Sequence, residues 1–275
     1  MTISAAHSGT TSLITETLLA AHGIGRLPVP LPGEGWAPAD TTPAPREHGA
    51  LPPPSDPETR ALYRWVLGHH GAVGVWRLLG DTLSGLVRDP AASHLHDTAA
   101  GWFDCYSALL LYAGSCTPQR YETAIRRRMV AEHPAFSGIW ARDYEWVAGL
   151  LARVHADQGS VLKEAVLRNR QVHMAIGKRL VPGGTSLLKK AGRRASQGAT
   201  DGERDLFDRF FALERASVSR ARFRAHVVMR VAAVEEDLAR HPLDEDDPLH
   251  RLLPASVSTL VRVMAAEPPR GGSDG

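Results

Sequence analysis

The chain is poor in cysteine, in continuous apolar runs and in net charge, and each shortage removes a class of protein. Only two cysteines, Cys105 and Cys116, occur among 275 residues, and neither stands in a CxxC or zinc-type spacing. A disulfide framework is excluded, and reduced thiols in a cytoplasmic protein are expected. No uninterrupted apolar stretch approaches the roughly 20 residues a membrane helix needs. The first residues show no basic region leading into an apolar run, so no signal peptide is predicted. Lys and Arg total 32 against 30 Asp and Glu, a net charge of +2. Nothing global points to nucleic acid, and Arg126-Arg127-Arg128 and Lys189-Lys190 with Arg193-Arg194 read as solvated helix faces. Strand-like alternation of useful length and internal repeats are lacking too.

What is present is helical periodicity, and the expected fold class is all-α. With 43% hydrophobic residues the chain can bury a sizeable core. A short helix is predicted over 13–21, followed by a stretch rich in Pro and Gly from Arg26 to Pro57 that cannot hold regular structure. This gives a proline-rich arm over 1–54, suited to exchange between subunits of a homodimer. A single helical domain is expected over 55–267 and a disordered tail over 268–275. Ser55-Asp56-Pro57-Glu58 combines a cap, a first-turn proline and a first-turn acid, and should open a helix running to about Arg88. Further helices are predicted over 97–113, 117–132, 139–156 and 160–180. Pro182-Gly183-Gly184-Thr185-Ser186 interrupts the pattern, and the basic, small-residue stretch to Gly202 is expected to be mobile. The capping-box spacing of Thr200 and Glu203 starts a long helix to Arg240, and a last helix covers 255–265.

Two histidines lie in strongly apolar helices. His70 stands six residues before Trp76, surrounded by Gly68, Gly71 and Gly74. An unpaired buried imidazole costs roughly 2–7 kcal/mol, so it needs a partner or a task. The glycines would let a planar group approach the helix, or let another helix pack closely. His226 lies at the edge of the apolar stripe formed by Phe223, Val227 and Val234. Arg222 and Arg224 beside it would suit the carboxylates of a haem whose iron the imidazole holds. A core histidine bonded to a backbone carbonyl is the plainer alternative. His173, on a stripe with Val166, Ile176 and Leu180, is the rival iron ligand.

His70-Gly71-Ala72-Val73-Gly74-Val75-Trp76 resembles the distal histidine segment of the tryptophan 2,3-dioxygenase superfamily. Leu213-Glu214-Arg215-Ala216 with Arg222-Phe223-Arg224-Ala225-His226 is similar to that superfamily's proximal helix. Gly114-Ser115-Cys116-Thr117-Pro118-Gln119-Arg120-Tyr121 resembles its loop carrying a substrate-carboxylate arginine. The superfamily's Gly- and Ser-rich loop follows the proximal histidine. Here the comparable Pro182 to Ser186 segment follows His173 and precedes His226, which keeps both histidines open as ligands. The short chain and proline-rich arm look more like the histidine-ligated haem tyrosine hydroxylases of actinobacterial natural-product pathways. His133 to Glu145, with Arg142 and Tyr144, resembles a site-building segment for an amino acid carboxylate and ring.

The resemblance implies an all-α bundle holding haem b. It implies a peroxygenase-like monooxygenase that converts L-tyrosine to L-DOPA with hydrogen peroxide, for antibiotics of the lincomycin or anthramycin type. His226 or His173 would be the metal ligand, with Arg222, Arg224 and Trp76 around the cofactor. His70, with its neighbour His69, would move the proton between peroxide oxygens. Arg120, Arg142 and Tyr144 would bind the substrate. The expected partners are an aromatic amino acid and peroxide or oxygen, with no nucleic acid and no membrane. A haem dioxygenase acting on an indole ring and a non-enzymatic helical binding protein are the alternatives. A metal site at His94-x-His96 or His69-His70 lacks a nearby carboxylate cluster to complete it.

Overall fold

A computed structural model describes residues 8–39, 51–154 and 159–243. The expected helix over 255–265, the tail at 268–275 and the middle of the proline-rich arm lie outside the described residues. The described chain is helical apart from two three-residue strands, and among the described residues no helix is long and apolar enough to cross a membrane.

The centre is α2 (Pro57–Arg88), which begins where the sequence predicts. Asp56 accepts the Thr59 backbone N–H at 2.8 Å, and Pro57 occupies the first turn, where no amide partner is needed. Its residues are buried almost without interruption from Ala61 to Gly80. Such a helix must be surrounded. α3 (Ser93–Ala113) covers one side, α6 (Arg142–Leu151) and α10 (Arg220–Arg240) cover others, and α7 (Val161–Leu180) packs on the outside of α3. The α2 glycines make these approaches possible. A Cβ on Gly68 would stand 2.7 Å from Ala113 Cβ, one on Gly74 2.9 Å from Val227, and one on Gly80 1.9 Å from the Trp146 ring. The glycines therefore serve helix packing, the second of the two uses open from sequence.

α1 (Ser8–Ala21) is tied to α9 (Asp201–Phe210) through the Thr15 hydroxyl, which donates to the Phe210 carbonyl at 2.9 Å. The arm holds more structure than its prolines suggest. β1 (Leu27–Val29) runs parallel to β2 (Leu213–Arg215), with Leu27 opposite Leu213. Further along the arm, Trp36 donates to Asp81 at 2.9 Å, and the Arg77 guanidinium lies 4.4 Å from the Trp36 ring and 5.1 Å from Trp146.

The long helix expected over 200–240 is a correction. It is broken into α9, β2 and α10, with Ala212 at φ 49 in the left-handed region. No Pro or Gly marks the break between Glu203 and Arg240, so composition alone reads through it. The helix expected over 117–132 is continuous but changes pitch: α4 (Pro118–Arg120), a π-helical turn over Tyr121–Arg126, then α5 (Arg127–Glu132). The basic stretch after Ser186 forms α8 (Leu187–Lys190) and a 3-10 turn at Ala195–Gln197.

Candidate active site

Consecutive residues of an α-helix point about 100° apart, so His69 and His70 serve different sides of α2. Gly68, His69, Ala72 and Trp76 share one face, and that face forms a wall of a cavity of about 890 Å³. This volume lies near the top of the roughly 300–1,000 Å³ usual for ligand and cofactor sites. α3 contributes Tyr106, Leu109 and Ala113, while α7 contributes His173, Ile176 and Lys178. Tyr121, Arg126 and Met129 come from the helix with the π-turn, and Tyr144 and Phe211 close the remaining sides. The walls are mainly aromatic and aliphatic, with a few polar groups converging.

His69 is held on every side but one. Its Nδ1 lies 2.6 Å from the Trp65 carbonyl, one helical turn back, so Nδ1 carries the proton and donates. Its ring stacks on Phe211 at 4.2 Å with 12° between planes, and Trp65 covers it at 4.5 Å. Nε2 is left as the free acceptor of a ring that lines the cavity. Burial pushes the pKa down to about 4, so the imidazole is neutral at pH 7. A neutral ring whose second nitrogen is pinned to a carbonyl is the arrangement that metal-binding histidines use. His173 is within electrostatic reach of His69 and lines the same cavity. His173 is exposed, and the protein packed around its ring lowers its pKa.

His70 points the other way and is wholly buried. Arg230 Nε donates to its Nδ1 at 2.9 Å, and its Nε2 donates to the Phe211 carbonyl. Both ring nitrogens are committed, and His70 does not line the cavity. His226 is also absent from the cavity wall. Its two ring nitrogens are buried without a hydrogen-bond partner among the described residues, and burial, Arg230 and Arg222 lower its pKa to about 4. Of the two histidines favoured from sequence, neither reaches the cavity; their neighbour His69 and the rival His173 do.

The other expected site residues divide similarly. Trp76 and Tyr144 line the cavity, with their rings 5.5 Å apart. Arg120 is half-buried outside it, and Arg222 and Arg224 stand on α10, not among its lining. Arg142 is held by acids: its guanidinium bonds Asp205 and lies 3.3 Å from Asp208. Asp208 and Asp143 also bind Arg215, each at 2.7 Å. This network fixes the start of α6, and with it Tyr144, rather than leaving a guanidinium for substrate.

Sequence reasoning passes over Arg126, set down as part of a solvated basic run. At 3.6 residues per turn, residues five apart lie about 140° from one another, so an ordinary helix would send Tyr121 and Arg126 to different faces. The i→i+5 closure of the π-turn brings them onto nearly the same face, and both line the cavity. The Arg126 side chain is 9% exposed. It donates to the Thr185 carbonyl at 2.9 Å and meets the exposed Glu122 only at 3.4 Å. Of its five N–H donors, most remain for a ligand.

A family model for the SfmD 3-methyl-L-tyrosine peroxygenase matches residues 6–170. The chain belongs to that family. A search of curated proteins finds no match. Membership makes the chain an enzyme and an oxidoreductase, which removes the non-enzymatic alternative. The matched span contains His69 and the α2 wall, together with the cavity faces of α3, the π-turn and α6. It ends three residues before His173 and well before His226. Within the part of the chain shared with the peroxygenase family, His69 is therefore the histidine that lines the cavity.

Proposed function

We propose that this chain is a haem peroxygenase that hydroxylates the phenol ring of an aromatic amino acid, L-tyrosine or a ring-methylated tyrosine, in the biosynthesis of a natural product. Overall, one ring C–H and one hydrogen peroxide give a ring C–OH and water; with L-tyrosine the product is L-DOPA. The observation that carries the reading is His69: a neutral imidazole with its Nδ1–H fixed on Trp65 and its Nε2 free in an aromatic cavity shared with His173.

The residues present fit a haem. The cavity has the volume, flat aromatic walls and a locked imidazole, and Lys178 can meet a haem carboxylate. The indole N–H groups of Trp65 and Trp76, in the same wall, have no acceptor among the described residues. Neither cysteine lines the cavity, which favours haem b held without a thioether. Both thiols are free, which suits a reducing compartment such as the cytoplasm.

Haem bound there supplies the iron-centred oxidation of the ring. The chain does the rest. His69 Nε2 would hold the iron, and the Trp65 carbonyl on Nδ1 keeps that lone pair available. His173, neutral and not locked by any hydrogen bond among the described residues, accepts a proton from peroxide and returns it to the departing water. Arg126 takes the substrate carboxylate in a charge-assisted contact. Tyr106, Tyr144 and Trp76 flank the substrate ring and exclude water. The earlier assignment of the proton role to His70 is not retained in this proposal, because both its nitrogens are occupied.

The test is hemin titration of wild type and of the His69→Ala, His173→Ala and His226→Ala variants, followed by tyrosine and peroxide. The proposal expects a Soret band at one haem per chain, lost in His69→Ala and kept in the other two. It expects turnover to be lost in His173→Ala. A band kept in His69→Ala and lost in His226→Ala would overturn the assignment.

A further inference from the structure

We infer that Arg230, His70 and the turn at Phe211–Ala212 form a clamp that positions the His69 ring in the cavity wall. The geometry stands by itself; its consequence for catalysis rests on the reading of His69 given above.

The first link is a buried charge. Arg230 is 1% exposed, and among the described residues it has no carboxylate partner. Its guanidinium donates instead to three neutral acceptors: His70 Nδ1 at 2.9 Å, the His226 carbonyl at 2.9 Å and the Gly25 carbonyl at 2.7 Å. Burying a cation on neutral partners alone is costly, so the position is not explained by stability.

The second link follows from proton counting. A guanidinium only donates, so His70 Nδ1 must accept, and the ring proton sits on Nε2. That N–H donates to the Phe211 carbonyl. Arg230 thereby fixes the tautomer that lets His70 grip the backbone at Phe211.

The third link is strain. Phe211 follows the last turn of α9, and Ala212 after it has φ 49; it is the one non-glycine residue with positive φ among the described residues. An alanine persists there only if its surroundings over-determine it. They do so from both sides, through His70 on the Phe211 carbonyl and through Leu27, whose amide donates to the Ala212 carbonyl at 3.1 Å. The result is the Phe211 ring laid on the face of His69 at 4.2 Å, while the Trp65 carbonyl holds its Nδ1–H. Two adjacent histidines of α2 thus act on one phenylalanine: His70 holds its backbone, and His69 receives its ring.

The experiment is nitrogen-15 NMR of the histidine rings in the haem-free full chain, with signals assigned through His69→Gln and His70→Gln. Wild type should show His70 as a single Nε2–H tautomer and His69 as a single Nδ1–H tautomer. In Arg230→Gln the His70 tautomer should be lost, and the His69 signals should shift and split. Ala212→Gly relieves the strain, so it should raise the melting temperature while splitting the His69 signals. A purely structural role would not produce that opposite pairing. Phe211→Leu should split His69 and leave His70 unchanged. If Arg230→Gln does not fold, Ala212→Gly still decides. His69 signals identical to wild type in Ala212→Gly, or in a folded Arg230→Gln, would overturn the clamp. Haem uptake by wild type is read separately, so failure of the haem reading and failure of the clamp are distinguishable.

Discussion

Replacing Gly68 by Ala tests how tightly α2 and α3 define the cavity. The added Cβ would stand 2.7 Å from Ala113 Cβ, 3.2 Å from Ala113 Cα and 3.2 Å from the Leu109 carbonyl oxygen. Two of these neighbours are backbone, which cannot swing aside as a side-chain tip does. Alanine in place of glycine in a helix interior gains about 1 kcal/mol of propensity. Overpacking a close contact costs about 1–3 kcal/mol, and rigid neighbours place this site at the upper end. The net expectation is a loss of about 1–2 kcal/mol, or about 2–4 °C in melting temperature for a chain of this size. Gly177 on α7 is the internal control, because a Cβ there meets nothing within 4 Å. Gly177→Ala should therefore gain about 0.5–1 kcal/mol. Urea unfolding of both haem-free variants measures the difference. Equal stabilisation by the two substitutions would refute the claim that α2 glycines are set by helix contact.

Arg126→Ala should raise the KM for tyrosine by about 10–100-fold, from the loss of a charge-assisted bond of about 1.5–3 kcal/mol. Binding of tyramine, which lacks the carboxylate, should not change. Arg142→Ala should raise KM far less than Arg126→Ala, acting only through the placement of Tyr144, because its partners are Asp205 and Asp208 rather than substrate. Arg215→Ala should cost about 3–5 kcal/mol by leaving Asp143 and Asp208 without their shared cation, read as a fall in the urea midpoint. Haem-free protein should lose stability in mild acid. His69 has an ordinary pKa of 6.5 and a folded value of about 4, so between these the unfolded chain binds more protons. The contribution is full above pH 6.5 and falls as pH drops, with about 2 kcal/mol lost from this ring at pH 5. His69→Gln should flatten that part of the profile.

Much of the scaffold was legible because its signals are local. Asp56-Pro57 starts α2, Ser160 caps α7 and the Thr200–Glu203 box starts α9, each where the sequence predicts. Three features were not. The strands β1 and β2 are three residues long, too short for a period-two pattern, and each owes its shape to the other across the fold. The π-turn leaves no sign in composition, so Arg126 reads as one of three solvated arginines. The assignment of His70 over His69 came from a spacing to Trp76, and adjacent helix positions differ by a rotation that spacing alone does not orient. Tertiary contacts orient the two rings, with Arg230 and the Phe211 carbonyl around His70 and the cavity beside His69.

The pairing of β1 with β2 joins residues near the two ends of the described chain. Closing so long a loop carries an entropy penalty that short-range helix contacts avoid, and it slows assembly relative to a simple bundle. On a ribosome adding about 5–20 residues per second, β1 must wait about 10–40 s for its partner to be made. Phe211 sits just before β2, so the wall behind His69 is completed among the last parts of the fold. Until then Phe211 is missing from that side of the cavity, and His69 lacks the ring that stacks on it.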